Sequence, residues 1–551
     1  MNRKSLCALL LALMLTALMA LPGAAAQTAE PKGKLTILHT NDVHGRAVAS
    51  PADGVFGYAA VAKLKHDLEA AGDSVLLLDA GDAAQGMPIV NLSYGQTAIE
   101  FMNAAGYDAM TPGNHEFDWG SDNLLKILEE ARFPVVSANI MDKISGEPMF
   151  KPHVILDTQA GYKVGVFGLS TPETLTKAHP DKVKGLSILM GEELYKAAQA
   201  QVDALKAEGC DLIVCLSHLG VADESAPNRS TDVLEKVGGI DLMIDGHSHT
   251  VIDGGQMVGD ALLTSTGSYF GAIGSVSYDG EALKASLVSA KVDSAAAKLG
   301  LIAFQGDAEV ADAVNSVDKV VKEQLSQVFA TTEVLLNGER DPGVRTEETN
   351  LGDFAADALL WAARRALGED QVAAALTNGG GIRASIQQGD ITMNDMKTVF
   401  PFGNQVTVLK VTGKELLEAL EAATHTTPDA IGAFPQVAGI ELTIDTAVPY
   451  EQGEQYPDST YYAPAKPGSR VTIQEVGGQV FDPEALYNIA TNDFTAAGGD
   501  TYYAFRYANQ TSGYMTGVAL EDALVSYVTE ELGGKVTEAR YGAPQGRITV
   551  K

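Results

Sequence analysis

Between Lys34 and about Ala290, short apolar runs alternate with amphipathic stretches. The runs occupy positions 35–38, 75–78, 135–136, 164–169, 212–216, 242–244 and 261–263. Each is too short for a helix, and nearly every one leads into a polar, glycine-containing turn, as buried strands do. Between them, residues 59–71 and 192–207 space their apolar side chains at helical intervals. This alternation predicts layered α/β structure. Residues 307–327 then carry Val310, Val314, Val317, Val320, Val321 and Leu325 on one stripe, with charges opposite and no Gly or Pro. That pattern predicts a connecting helix. From about Thr331 to Lys551 a second α/β region follows, with a loop rich in Pro, Tyr and Gly at 449–468.

A chain of 551 residues exceeds what one hydrophobic core usually serves, so two domains are expected. Residues 1–26 stand apart: Arg3 and Lys4 precede an apolar run that ends in Gly23-Ala24-Ala25-Ala26. This is the pattern of a secretory signal peptide. No other apolar stretch approaches membrane-spanning length. The predicted layout is a signal at 1–26, a first domain at 34–300, a linker helix at 301–330 and a second domain at 331–551. The expected setting is export, to the periplasm, the cell surface or the medium.

The formal charge of −32 argues against nucleic acid polymers as partners. A small anionic substrate would need local cations, from metals or converging arginines. Cys7 leaves with the signal. Cys210 and Cys215 flank a strand-like segment that sets them roughly 16 Å apart, too far for a disulfide, and they read as core thiols. Nine of the ten histidines lie at or before His249, so any metal chemistry is expected in the first domain.

The chemistry-bearing motifs follow the apolar runs. They are Asn-Asp42-Val-His44-Gly45-Arg46, Ala-Gly81-Asp82, Gly113-Asn114-His115-Glu116-Phe-Asp118, Ser-His218 and Gly246-His247-Ser-His249. Open α/β sheets place their sites at the carboxyl ends of strands. Carboxylate, imidazole and amide donors without thiolate suit Zn, Mn or similar divalent ions. His39, His66, His153, His179 and His425 fit no such pattern and read as structural or surface residues.

These five motifs resemble the calcineurin-like metallophosphoesterases. Asn378-Gly-Gly-Gly381-Ile-Arg383, Phe400-Pro-Phe402-Gly403 and Asn492-Asp-Phe494-Thr-Ala-Ala-Gly-Gly-Asp500 look like the 5′-nucleotidase C-terminal domain. The resemblance implies a layered α-β-β-α metallophosphoesterase domain followed by a second α/β, substrate-binding domain. It implies two divalent metal ions. Asp42, His44 and Asp82 would hold the first, with Asp82 bridging, and Asn114, His218 and His247 the second. His249 stands where relatives commonly carry Gln or Asn, and is a further candidate ligand. His115 would stabilise charge beside the scissile phosphate, oriented by Asp118. Arg345 and Arg383 would bind the phosphate chain, with Arg46 a further candidate. Phe402 and Phe494 would sandwich the base, Asp500 would accept ribose hydroxyls, and Asn378 and Gly381 would lie beside the nucleotide.

The expected activity is hydrolysis of extracellular nucleoside 5′-monophosphates, with rotation of the second domain delivering substrate to the metals. Two alternatives share the fold: a 2′,3′-cyclic nucleotide phosphodiesterase, and a hydrolase of UDP-sugars or nucleoside di- and triphosphates. A non-enzymatic secreted nucleotide-binding protein would need a damaged metal site, yet every expected ligand type is present.

Overall fold

The computed structural model describes residues 32–289, 306–457 and 459–551. The signal assigned to 1–26, and the part of the linker before 306, lie outside the described residues. The first half is built on two sheets. One runs in the order Leu283–Ser289, Ala272–Tyr278, Leu35–Thr40, Ser74–Asp79, Ala109–Met110; the other runs Val251–Val258, Ala261–Thr266, Leu242–Asp245, Leu212–His218, Lys163–Ser170, His153–Asp157. Ile37, Leu78, Val166, Val214, Leu216 and Ile244 meet in the core between them. Helices Gly57–Ala70 and Gln96–Ala105 cover the outer face of the first sheet. Helices Glu192–Ala207 and Ser230–Lys236 cover the second, through Leu194, Val202, Leu205 and Val233. The layering is therefore α-β-β-α. Strand Ser74–Asp79 is buried at all six positions, as a parallel strand covered on both faces must be.

Two expectations need correction. Residues 135–136 form no strand of their own but make isolated bridges to Met110 and Lys151. The antiparallel pair Ala272–Tyr278 and Leu283–Ser289 was not marked by any apolar run, because Ser275 and Ser277 alternate with its core residues and its partner strand is largely half-exposed.

Helix Ala308–Leu325 starts at Asp307, whose carboxylate accepts from the backbone N–H groups of Glu309 and Val310. Val310, Val314 and Val317 pack on the first domain's outer layer. Val320 is exposed, because neighbouring residues point roughly 100° apart and Val321 takes the buried direction. The helix also touches Met393–Val399 in the second half.

The second half centres on a five-stranded sheet ordered Pro435–Ala438, Ala374–Asn378, Leu486–Asn492, Gln405–Thr412, Tyr514–Ala519. Successive residues of Gln405–Thr412 face opposite cores. Val408 packs with helix Asn350–Leu367, and Leu409 with helices Gly413–Ala423 and Tyr503–Ser512. A four-stranded, a three-stranded and a two-stranded sheet accompany it among the described residues. Thr392 and Asp395 form a capping box at the start of Met393–Val399, fixing the helix from which the Phe402 loop departs.

Candidate active site

The parallel strands of both sheets deliver their carboxyl ends to one place. Asp42 and His44 follow Leu35–Thr40, Asp82 follows Ser74–Asp79, and Asn114 and His115 follow Ala109–Met110. From the second sheet, His218 ends Leu212–His218, while His247 and His249 follow Leu242–Asp245. His218 Nδ1–H donates to the carbonyl of Ala80 at 2.6 Å, joining the sheets across the site. Gly113 must be glycine here, since a Cβ would lie 2.3 Å from Asp82 Oδ1.

The backbone pays for this convergence. Asp42, His44, Asp82, His247 and His249 all have positive φ, between 44° and 73°, at a cost of order 1–3 kcal/mol for each such residue. Crossed hydrogen bonds hold the first two loops in place: Asp42 N–H donates to Gly81 O and His44 N–H to Asp82 O, each at 2.9 Å. Glu116 holds the second. Its Oε2 accepts from the N–H groups of Asp82 (2.8 Å) and Gly113 (2.6 Å), and its Oε1 from those of Ala83 (2.7 Å) and Ala84 (2.9 Å). The motif spelling drew attention to Glu116, but no sequence argument assigned it this work.

Two groups of side chains offer ligand atoms within 4.8 Å of one another: Asp42, His44 and His249, and Asp42, Asp82 and His218. Asp82 Oδ2 stands 3.2 Å from His218 Nε2 and 3.7 Å from His44 Nε2. Asp42 Oδ1 stands 3.5 Å from His249 Nε2 and 3.9 Å from His218 Nε2. His247 Nδ1 and Asn114 Oδ1 meet at 2.9 Å. The second nitrogen of each ring sets its tautomer. His44 Nδ1–H reaches Gln85 Oε1 at 3.3 Å, His218 Nδ1–H is on Ala80, and His247 Nε2–H reaches Glu173 at 3.3 Å. That leaves lone pairs at His44 Nε2 and His247 Nδ1, both turned inward; burial opposes charge on His218, but Asp82 and Asp42 lift it to about 10. Burial, more than any neighbour, pushes the His44 and His249 imidazoles well below their ordinary range, so both are neutral. His218 Nε2 is buried and faces the Asp82 carboxylate. A converging set of inward lone pairs and carboxylates, with no thiolate, fits divalent cations.

His115 belongs to the same cluster without pointing into it. Its N–H donates to Asp82 Oδ1 at 2.9 Å, and its Nδ1–H to Asp118 Oδ2 at 2.7 Å, leaving Nε2 for the cleft. Burial works against its charge, but Asp118 and Asp82 outweigh burial and lift this imidazole above its ordinary value.

The cleft lies between the two halves, with a cavity of about 100 Å³. Asp82, Asn114, His115, Asp118, His247 and His249 line one wall, and Arg345, Asn378, Gly381, Arg383, Phe402, Phe494 and Asp500 line the other. Phe402 stacks on His115, ring centroids 5.6 Å apart, and the Arg383 guanidinium lies 5.7 Å from the Phe402 centroid. Gly499 makes room for Phe494, because a Cβ there would fall 2.4 Å from the ring. Asn378 Nδ2–H donates to Asp500 Oδ2 at 3.0 Å, and Asn378 Oδ1 accepts from Asn492. Arg46 does not line this cleft. Its guanidinium packs on Tyr269, 5.1 Å from the ring centroid, beside a separate cavity.

Sequence reasoning also missed residues. Arg340 lines the cleft with Arg345 and Arg383. Burial, Arg340 and Arg383 push Arg345 down to about 9, against the opposing pull of Tyr269 and Asp500. The signal for Arg340 was available in its spacing, five residues before Arg345 in the same Pro-Gly loop. His179 was read as structural or surface. It lines the cleft instead, 3.8 Å from Asp493 of the second half. Lys177 lines it too. Of the remaining histidines, His39 is fully buried in the core and His66 pairs with Asp307 at 3.2 Å.

Comparison with known proteins places these features. Residues 35–251 match the calcineurin-like phosphoesterase family, and residues 328–507 match the 5′-nucleotidase C-terminal domain. A 5′-nucleotidase of Vibrio cholerae is 32% identical over 558 residues, covering 94% of each chain. A trifunctional nucleotide phosphoesterase, YfkN of Bacillus subtilis, is 33% identical over 91% of this chain, which spans about a third (34%) of that longer protein. Among solved structures, a 5′-nucleotidase precursor from Thermus thermophilus superposes with a TM-score of 0.77 at 29% identity. The match covers 94% of this chain and 99% of that one.

Proposed function

The chain belongs to the 5′-nucleotidase family, a metallophosphoesterase-type hydrolase of nucleotide phosphate esters, and we propose on that premise that it dephosphorylates nucleoside 5′-monophosphates using two divalent ions. One observation carries the reading: one cleft is lined on one wall by Asp82, Asn114, His247 and His249 of the metal-ligand set and on the other by three arginines and two phenylalanines. Arginine forks bind phosphate in bidentate fashion, and aromatic faces stack on bases whatever their identity.

In this reading Asp42, His44 and His249 would hold the first ion and Asn114, His218 and His247 the second, with Asp82 a ligand available to either. The ions, when bound, acidify the attacking water and offset charge on phosphate and leaving oxygen. Arg340, Arg345 and Arg383 draw the phosphate in against the overall negative charge. Phe402 and Phe494 hold the base, and Asp500, oriented by Asn378, accepts from the ribose. His115, its Nδ1–H fixed on Asp118, donates from Nε2 to the phosphate oxygen as negative charge grows there. The residue 1–26 pattern supports an exported setting and therefore extracellular substrate.

Phosphate release from adenosine monophosphate, measured across Mn, Zn, Co and Mg and again after chelation, tests the reading. Metal-dependent release is expected; none with any of the four metals overturns it. His115→Ala is expected to lower kcat about 10²–10³-fold while metal and nucleotide still bind.

A further inference from the structure

The segment 173–177 belongs to the first half, yet it contacts both the metal-ligand set and the second half. Glu173 is about 1% exposed, and its Oε2 gathers three partners. His247 Nε2 lies 3.3 Å away, the Tyr461 hydroxyl 3.4 Å and Lys177 Nζ 3.8 Å. Tyr461 comes from the second half of the chain. Lys177 continues the path, standing 3.4 Å from Asp500 Oδ1. The backbone joins in, as Asp500 N–H donates to Thr176 O at 2.8 Å. One five-residue segment thus touches a candidate metal ligand at one end and a candidate ribose acceptor at the other.

The His247 geometry shows what Glu173 does. Of the two ring nitrogens, Nε2 faces a carboxylate, which accepts only. The ring proton therefore sits on Nε2 and the lone pair on Nδ1. That lone pair lies 2.9 Å from Asn114 Oδ1, itself an acceptor. A divalent cation at this position would be held by that lone pair and that oxygen together. An acidic partner on the remote nitrogen of a ligand histidine fixes both its tautomer and its orientation.

We infer that Glu173 is a positioning residue for His247, and that Tyr461 ties this positioning to docking of the second domain. Glu173 holds the ring with Nδ1 toward the metal, and the Tyr461 hydroxyl supports the carboxylate when the domains are together. Separation of the second domain from the first would remove that donor from Glu173. Metal affinity at the Asn114–His247 position is then greatest in the docked state that also brings Asp500 to Lys177. The inference rests on the two-metal reading above, but its test does not depend on turnover.

The test is a double-mutant cycle on the full-length protein, read as the dissociation constant for Mn or Zn in competition with a chelating dye. Thermal unfolding is followed in parallel to confirm that each variant is folded. Glu173→Gln is expected to weaken binding of one of the two ions about 10–100-fold and to leave the other unchanged. Glu173→Asp, which keeps the charge, is expected to recover part of the loss. Tyr461→Phe is expected to weaken binding a few-fold, and the double variant to be no weaker than Glu173→Gln alone. Wild-type affinity in folded Glu173→Gln overturns the positioning role. Independent, multiplicative losses in the double variant overturn the link to the second domain.

Discussion

Glu116→Gln is the sharpest test of how the site is held. The carboxylate accepts four buried backbone N–H groups, two on each oxygen, and is about 1% exposed. A glutamine fits the space but keeps one acceptor oxygen. Its amide nitrogen then faces either Asp82 and Gly113 or Ala83 and Ala84, donor against donor. Two charge-assisted hydrogen bonds vanish in either orientation, at about 1.5–3 kcal/mol each, so the first domain should lose about 3–6 kcal/mol. Metal affinity should fall too, because Asp82 is among the loosened residues. The chain has two tryptophans, Trp119 in the first domain and Trp361 in the second. A Trp361→Phe background therefore lets Trp119 fluorescence report urea unfolding of the first domain alone. A destabilisation below about 1 kcal/mol would refute the claim that these four hydrogen bonds hold the strained Asp82 loop.

Arg383→Ala removes a cation that also covers Phe402; KM for a nucleoside monophosphate should rise about 10–150-fold, equivalent to 1.5–3 kcal/mol, and an unchanged KM would remove Arg383 from substrate binding. Asp353 offers a pH test far from the metals. Burial, opposed by Arg547, pushes it up to about 8, so the folded chain holds a proton there that the unfolded chain releases near pH 4. The stability this adds is complete below pH 4 and is lost as pH rises to 8, with a slope of at most about 1.4 kcal/mol per pH unit. Asp353→Asn should flatten that slope in denaturant titrations at pH 5 and pH 8, and an unaltered slope would show that another group sets it.

The ligand-bearing residues were legible because their chemistry is type-specific. Asp, Asn and His recurring just after buried strands have few structural uses, and five such motifs in order leave little else to explain them. The second domain was legible for a different reason: its Gly-rich and Pro-Phe-Gly turns keep a recognisable spelling around Arg383, Phe402 and Phe494. Arg46 shows the limit of spelling. It follows the first motif directly, yet its side chain packs on Tyr269, whose ring touches His44 and His249, and does not itself line the cleft. His179 errs in the other direction, since only tertiary packing carries it from an ordinary turn to the cleft wall beside Asp493.

The work of residues that act by holding others was not legible in composition or spacing, even where a motif included them, as it did Glu116. Glu116 and Glu173 are acidic residues near short helical turns, where acids are common as helix starters. Their roles depend on which buried N–H groups or imidazole nitrogens lie within reach, and that is fixed by loops distant in sequence. The positive φ angles at Asp42, His44, Asp82, His247 and His249 make the same point energetically. Asp and His do not favour this conformation as Gly does, so five such residues persist only where the surroundings over-determine them. The crossed bonds from Asp42 to Gly81 and from His44 to Asp82, with the four accepted by Glu116, provide that constraint. Strain at the ligands and buried acids behind them are thus one device, and loosening the acid should release the strain before it alters any ligand.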